Sequence, residues 1–141
     1  MLQSIFSSAG KNKISLKQTL VEFLNEKNFQ YESTDDDDIL ILPMHGENGN
    51  WRMLFQINEE KELLEIRSYC PIKIKYNQKL RLAELITRIN YNLVLGCFTM
   101  DFEDGRIFFS IAHLSREANL NIKTLNTLFN TNAHTLDQFL Q

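Results

Sequence analysis

Cysteine, proline and glycine are scarce in this 141-residue sequence, which has two, two and five of them. Cys70 and Cys97 are far apart and outside any CxxC pattern, which argues against a disulfide scaffold or a local zinc motif and favours a reducing compartment. The few glycines fall in turn-like segments and form neither a GxGxxG motif nor a phosphate-binding loop. An enzyme that depends on NAD or ATP is therefore not expected.

Long apolar runs and an excess of positive charge are also absent. No apolar run approaches the roughly twenty residues of a membrane span, and the N-terminal "MLQSIFSSAGKNK" lacks the apolar core of a signal peptide. The formal net charge of −3 offers no basic field to a nucleic acid. We expect a cytoplasmic protein that binds neither a membrane nor a nucleic acid.

The chain has the size and composition of one globular domain. Its hydrophobic share of 43% and charged share of 23% are ordinary for a folded protein. Residues 1–13 are predicted to form a flexible tail, and residues 14–141 a single domain.

Apolar residues at helical spacing predict three helices. Ser15 and Gln18 have the spacing of a capping box, which predicts a helix over residues 16–25. The second helix has a stripe of Leu82, Leu85, Ile86, Ile89 and Leu93 and is expected to end within "NYNL". The third has Asn121 as its N-cap and a stripe of Ile122, Leu125, Phe129, Ala133, Leu136 and Leu140. The segment "NTNA" leaves open whether the third helix is continuous.

Alternating apolar residues predict strands between these helices. The segments "FQYES", "ILILP", "WRMLFQIN" and "ELLEIRSY" predict a meander of three or four strands. After Gly96, a strand with Phe98, Met100 and Phe102 on one face is followed by the turn "EDG" and the strand "RIFFSIAHL". The order α-β-β-β(-β)-α-β-β-α predicts an α+β fold, with helices packed on one antiparallel sheet.

Polar residues interrupt the apolar run "INYNLVLGCFTMD", where the pattern changes from helix to strand. Asn90 and Asn92 are expected to satisfy the last helix carbonyls or to adopt a left-handed conformation. Gly96 is expected to allow a positive φ or a close approach of the backbone.

The segment "LAELITRINYNLVLGCFTMDFEDGRIFF" resembles the YbjN family of bacterial sensory-transduction regulators, whose fold is similar to that of the type III secretion chaperones. The resemblance covers nearly the whole chain from Ser15. The residues that carry it are Asn90, Gly96, Phe98, Asp101 and Gly105. All of them are structural positions, and none is a catalytic group. The resemblance implies a dimeric, chaperone-like module that captures an extended or partly folded protein segment.

The strands contain more apolar residues than one core face requires. Five residues are predicted to lie opposite the main core face: Leu40, Leu42, Leu54, Tyr69 and Phe108. A second helix layer, a symmetric partner and a bound peptide each remain possible as the cover for this face. We expect part of it to bind a second copy of the chain or a protein segment, by strand addition or in a groove.

Several other features are assigned to structure. Residues 35–38, "DDDD", lack the alternation of a calcium loop and predict a solvated turn. The histidines have no metal-ligand spacing. The basic segment at residues 73–81 is expected to be a solvated connection, and Trp51 shares its face with Met53, Phe55 and Ile57 and is expected in the core.

These observations predict no catalytic residue, no metal and no cofactor. The leading hypothesis is a non-catalytic module, chaperone-like or regulatory, that binds a protein segment as a homodimer. The alternative is a regulator that responds to a small ligand held in a pocket between the helices and the sheet.

Overall fold

The chain folds into an antiparallel sheet with helices packed on one of its faces. A computed structural model describes residues 14–115 and 120–141, and within them there are six strands and three α-helices. The tail predicted for residues 1–13 lies outside the described residues. The elements in chain order are α1 (Leu16–Glu26), β1 (Glu32–Ser33), β2 (Ile39–His45), β3 (Asn50–Asn58), β4 (Leu63–Tyr69), α2 (Lys79–Asn92), β5 (Cys97–Met100), β6 (Ile107–Leu114) and α3 (Ile122–Phe139). The spatial order of the strands is β1-β2-β3-β4-β6-β5, so the predicted α+β fold and element order are confirmed.

The first helix begins at the predicted capping box. The Ser15 hydroxyl accepts a hydrogen bond from the Gln18 N–H (3.1 Å), and the Gln18 side chain accepts one from the Ser15 N–H (3.0 Å). The apolar stripe of α1 faces the sheet and α3, where Phe23 meets the ring of Phe129 edge-on at 5.6 Å. The strand predicted at "FQYES" is shorter than expected, because Phe29 packs on Phe129 instead of joining the sheet.

Leu40 and Leu42 lie in the core, so the prediction that they face away from it is wrong. Leu40 pairs with Phe55 and Leu42 pairs with Met53, and all four side chains are 0–3% exposed. Residues paired directly across two strands share one face of the sheet. Because "ILILP" is apolar at almost every position, its sequence does not indicate which face is buried, and the register of the β2–β3 hairpin decides it.

The last helix is continuous through "NTNA", because Asn132 is a buried hydrogen-bonding residue. Its Nδ2 donates to the backbone carbonyls of Ile66 (3.0 Å) and Phe109 (3.1 Å), and its Oδ1 accepts from the Ser68 hydroxyl. The Trp51 indole N–H in turn donates to Ser68 Oγ (3.1 Å), which confirms Trp51 as a core residue. These bonds offset the low helix propensity of asparagine and fix α3 over β4 and β6.

The β2–β3 hairpin loop is held against the last turn of α3. The Asp137 carboxylate accepts hydrogen bonds from the backbone N–H groups of Glu47 (3.1 Å) and Asn48 (2.9 Å). Gly46 makes room for this contact, since a Cβ at this position would lie 2.3 Å from Asp137 Oδ1. The loop and the end of α3 therefore support each other.

Replacing Asp137 by Ala should lower the free energy of unfolding by about 1–2 kcal/mol, because two charge-assisted hydrogen bonds are lost. Urea denaturation would measure this loss. Gln138→Ala is the matched control, since Gln138 is the exposed neighbour and a surface change should cost less than about 0.5 kcal/mol. Equal stabilities of the two variants would show that the Asp137 contact does not stabilise the fold.

The junction between α2 and β5 follows the predicted change from helix to strand, except at its end. Gly96 has a φ of +75°, and a Cβ there would lie 2.7 Å from both Phe109 Cζ and the Ser110 carbonyl oxygen. The strand ends at Met100, so the prediction that Phe102 continues it is wrong: Phe102 is 53% exposed in the turn that follows. The early end is explained by the turn itself, in which the N–H of Gly105 donates to the carbonyl of Asp101 (2.7 Å).

Candidate functional site

The candidate site is the face of the sheet that points away from the described helices, here called the open face. The strand register places Leu54 opposite Arg67 and Tyr69 opposite Phe108 on this face. Leu54, Tyr69 and Phe108 are half-buried, whereas the residues that alternate with them contact the helices. Three of the five residues predicted for this surface therefore lie on it together.

An aromatic pair flanked by arginines forms the centre of the open face. The rings of Tyr69 and Phe108 meet edge-on with centroids 4.7 Å apart. The Arg67 guanidinium carbon lies 5.8 Å from the Phe108 centroid, and that of Arg106 lies 6.0 Å from Tyr69 and 5.9 Å from Phe108. These distances are those of cation–π contacts, so both arginines lie over the rings.

The charges of the open face are balanced locally. Hydrogen bonding to Tyr69 and then to Asp104 raises the pKa of the Arg106 guanidinium, and the backbone N–H of Arg106 lowers the pKa of the Asp104 carboxyl. Arg67 pairs with Glu65, and Arg52 pairs with Glu32 at 3.1 Å. A strongly acidic partner would have to displace these carboxylates, so the face suits a segment of mixed or neutral charge.

This composition suits binding better than catalysis. Tyrosine, phenylalanine and arginine are enriched at the centres of protein interfaces, and an arginine over an aromatic ring is a common contact there. The aromatic pair and its arginines include no nucleophile with an adjacent base. Within residues 14–115 and 120–141, no group of three or more His, Cys, Asp or Glu side chains is placed to hold a metal ion.

The two thiols should differ sharply in reactivity. Burial raises the pKa of the Cys70 thiol, an effect that a hydrogen bond with the backbone of Ile72 opposes, whereas Cys97 is exposed. Because the thiolate is the reactive form, a thiol-specific disulfide reagent should modify one thiol per native chain rapidly and the second only in urea. Cys97→Ser should remove the rapid phase. Two equally rapid phases in the native protein would contradict the buried placement of Cys70.

A second apolar surface, here called the α2 surface, was not predicted from the sequence. It consists of Leu80 (75% exposed), Leu85 (45%), Tyr91 (89%), Val94 (94%) and Leu95 (54%). Leu85 was expected in the buried stripe of the helix, and its exposure corrects that prediction. Of the same stripe, Ile86 is buried, and Ile89 and Leu93 pack partly buried against the core. The sequence did contain a signal for this surface: apolar residues lie outside the predicted stripe at Leu80 and Tyr91, and shortly after the helix at Val94 and Leu95.

The asparagine of the family motif bonds to a strand instead of to the end of its own helix. Asn90 Oδ1 accepts from the Phe98 N–H (2.7 Å), and Asn90 Nδ2 donates to the Phe98 carbonyl (2.9 Å). This corrects the expectation that Asn90 satisfies helix carbonyls or takes a left-handed conformation. Asn90 therefore joins the end of α2 to the outer edge of β5.

The observed clefts lie at the surface. One of about 710 Å³ runs along the outer side of α1, and another of about 470 Å³ lies between residues 69–74 and residues 104–106. The centre of the space between the helices and the sheet is filled, since Leu20, Phe55 and Leu125 are all 0% exposed. A cleft of about 430 Å³ lies at the rim of this space, between α3 and the β2–β3 hairpin. The filled centre weighs against an enclosed ligand pocket between the helices and the sheet. None of the helices in the described parts of the chain has the length and apolarity needed to cross a bilayer.

Comparisons with known proteins agree with this geometry. A family model named YbjN, described as "Putative bacterial sensory transduction regulator", matches residues 17–141. The crystal structure of YbjN from E. coli, described as "a putative transcription regulator", has a TM-score of 0.68 at 10% identity and covers 86% of each chain. A search of curated protein sequences finds no match.

One chain in each of two solved complexes has the same fold as this chain. The ExsC–ExsE complex matches with a TM-score of 0.57 at 12% identity, over 91% of this chain and 94% of that one. The HopA1–SchA chaperone–effector complex matches with a TM-score of 0.57 at 15% identity, over 88% of this chain and 91% of that one. At such identities the similarity shows the fold, which is that of the type III secretion chaperones, as predicted.

Proposed function

Because this chain belongs to the YbjN family, we propose that it is a non-catalytic module that binds a protein segment on its open face. One observation carries the proposal: the half-buried Tyr69–Phe108 pair lies under Arg67 and Arg106 on a face that the described helices leave uncovered. The likeness in fold to a chaperone–effector complex supports it at the level of architecture.

The open face indicates what kind of segment it would bind. Leu54, Tyr69 and Phe108 provide apolar contact area, so the segment should present apolar or aromatic side chains to them. The guanidinium groups of Arg67 and Arg106 lie beside the rings and retain N–H donors for backbone carbonyls of the segment. An extended segment offers both kinds of group, because its side chains alternate with its backbone acceptors.

Leu54→Asp should weaken binding of such a segment by at least about a hundredfold, since it places a carboxylate within the apolar contact. A segment recovered with the native protein would be synthesised, and its affinity for each purified variant would be measured by calorimetry. Asn130→Asp is the matched control, because it adds the same charge at an exposed position of α3, on the other side of the sheet. Equal affinities of the native and Leu54→Asp proteins would rule out the open face.

The proposed module acts as a homodimer that pairs through the α2 surface. The five side chains of this surface expose roughly 500–700 Å² per copy, which approaches the ~800 Å² per partner of a standard interface. The neighbouring charges are self-complementary: Glu84 and Arg88 form an exposed pair at 2.8 Å on the same helix. In an antiparallel pair of α2 helices, each glutamate would face the partner's arginine.

Tyr91→Asp should convert the dimer to a monomer, because Tyr91 has the largest exposed apolar side chain of the α2 surface. Sedimentation velocity would measure the mass of each species. Asn92→Asp adds the same charge to the exposed adjacent residue and should leave the dimer intact. A native protein that sediments as a monomer over a wide range of concentration would contradict the dimer while leaving the open face untested by this experiment.

A further inference from the structure

We propose that the outer edge of β5 is a latent strand-pairing surface that Asn90 holds closed, and that its occupant, once it is opened, is the β5 edge of a second copy. This inference goes beyond the proposed function, because it concerns a sheet edge and does not depend on the open face or on segment binding. It rests on the hydrogen bonds of Asn90, on the shallow burial of α2 and on the sequence of β5.

The backbone groups of alternate β5 residues point away from the sheet. The Asp101 N–H donates to the Arg106 carbonyl (2.9 Å), so Asp101 faces β6. Because orientation alternates along a strand, Phe98 and Met100 present their N–H and C=O groups to the outer edge. Asn90 satisfies both groups of Phe98 with its carboxamide and thus makes the pair of bonds that a residue of an adjacent strand would make.

The helix that covers this edge is held by a short apolar contact and by hydrogen bonds at its two ends. Within the 14 residues of α2, only Ile86 is buried, at 5% exposure, and the partly buried Ile89 packs against the same core. The N-terminal end is held by Lys79, whose ammonium group donates to the carbonyls of Phe102 and Glu103, both at 2.9 Å. Asn90 holds the C-terminal end. Because few residues of α2 are buried, these end contacts should contribute a large share of what keeps the helix over β5.

Toward the opposite end of the sheet, the outer side of β2 is blocked by a different device, because the short β1 covers only part of it. Thr34 donates its hydroxyl to the Ile39 carbonyl (3.1 Å), which places the odd-numbered residues of β2 toward the outer edge. Ile41 is covered by β1, and Pro43 has no N–H to offer to another strand. Proline permanently blocks strand pairing on that part of β2, whereas a side-chain contact blocks it at the β5 edge.

The occupant is a second copy because β5 is self-complementary. Its sequence, "CFTM", carries no charge and no proline, so two β5 edges meet without repulsion. Antiparallel pairing about a two-fold axis at Thr99 sets Phe98 of each copy opposite Met100 of the other, and both residues present outward backbone groups. The exposed side chain of Thr99 would then lie directly against its own copy.

The test compares Asn90→Ala with the matched control Asn92→Ala, which changes an exposed asparagine at the end of the same helix. Amide exchange of Phe98, measured in dilute protein, should become about tenfold faster or more in Asn90→Ala, since its acceptor is lost. Sedimentation velocity should show association beyond the native state that grows with concentration. Asn92→Ala should behave like the native protein in both measurements.

A second substitution identifies the surface. Adding Thr99→Lys to Asn90→Ala should abolish the extra association while the fast exchange of Phe98 remains, because two lysines would meet at the two-fold axis. Association that persists in the double variant would overturn the proposal, as would native-like association and protection in Asn90→Ala. Loss of the α2 dimer would not produce these results, because it would lower association relative to the native protein, whereas the proposal predicts higher association.

If Asn90→Ala fails to fold, Asn90→Asp provides the decisive variant. It keeps the acceptor for the Phe98 N–H and loses only the donor to the Phe98 carbonyl. The amides in the last turn of α2 should then exchange faster while those of α1 do not change. Unchanged exchange in the last turn of α2 would overturn the assignment of Asn90 as the residue that closes the edge.

Discussion

Asn132→Ala is expected to lower the free energy of unfolding by about 4 kcal/mol. Asn132 is 0% exposed and bonds to the Ile66 carbonyl, the Phe109 carbonyl and the Ser68 hydroxyl. Its removal breaks three buried hydrogen bonds and leaves a cavity between α3 and the sheet. Because Trp51 bonds to Ser68, the loss should extend to the indole.

Urea denaturation followed by tryptophan fluorescence would measure this effect and report on the Trp51 environment. The matched control is Asn130→Ala, which changes an exposed asparagine of the same helix and should cost less than about 0.5 kcal/mol. A loss below about 1 kcal/mol for Asn132→Ala would mean that water or rearranged side chains replace the buried bonds.

Gly96→Ala is expected to cost about 3 kcal/mol, because two separate penalties act at this position. The φ of +75° is strained for any residue with a Cβ. The added Cβ would also lie 2.7 Å from Phe109 Cζ, in a ring that is fully buried, and 2.7 Å from the Ser110 carbonyl oxygen. Neither neighbour moves without disturbing the β5–β6 ladder.

Gly105→Ala separates the two penalties. Gly105 has nearly the same φ, +77°, but the nearest atom to an added Cβ lies at 3.6 Å, an ordinary contact distance. Its replacement should therefore cost only the conformational strain of about 1 kcal/mol. Thermal or urea unfolding of both variants gives the comparison. Equal losses at the two glycines would contradict the close packing of Gly96 against β6.

Features that depend on residues within one helix, strand or turn were predictable from the sequence. The face of β3 followed from the alternation that starts at Trp51, and the start of α1 followed from Ser15 and Gln18. The change from helix to strand was marked by Gly96. In each case the residues that determine the structure are neighbours in the chain, so periodicity and capping rules apply to them.

Features that depend on distant pairings were not predictable. The burial of Leu40 and Leu42 depends on the register with β3, and the role of Asn132 depends on contacts with β4 and β6, which lie 66 and 23 residues away in the chain. The NTNA segment by itself shows only a low helix propensity. The local sequence does not show which distant residues will form these contacts, and the contacts decide the outcome.

The candidate site shows the same division. Leu54, Tyr69 and Phe108 were placed on the correct face because each alternates with core residues of its own strand. The arginines over the aromatic pair were missed, because β4 and β6 become neighbours only after the chain passes through α2 and β5. That topology creates the site and is not visible in the sequence of either strand.

Photo-cross-linking from the open face is the most direct test of the proposed function. A photoreactive phenylalanine analogue would replace Leu54 on the open face in one variant and Asn130 on α3 in the other, and both would be irradiated in cells of the source organism. The proposed function predicts a discrete protein adduct from position 54, mapped to one segment of one partner, and none from position 130. Adducts of equal yield from both positions, or none from position 54, would contradict binding on the open face.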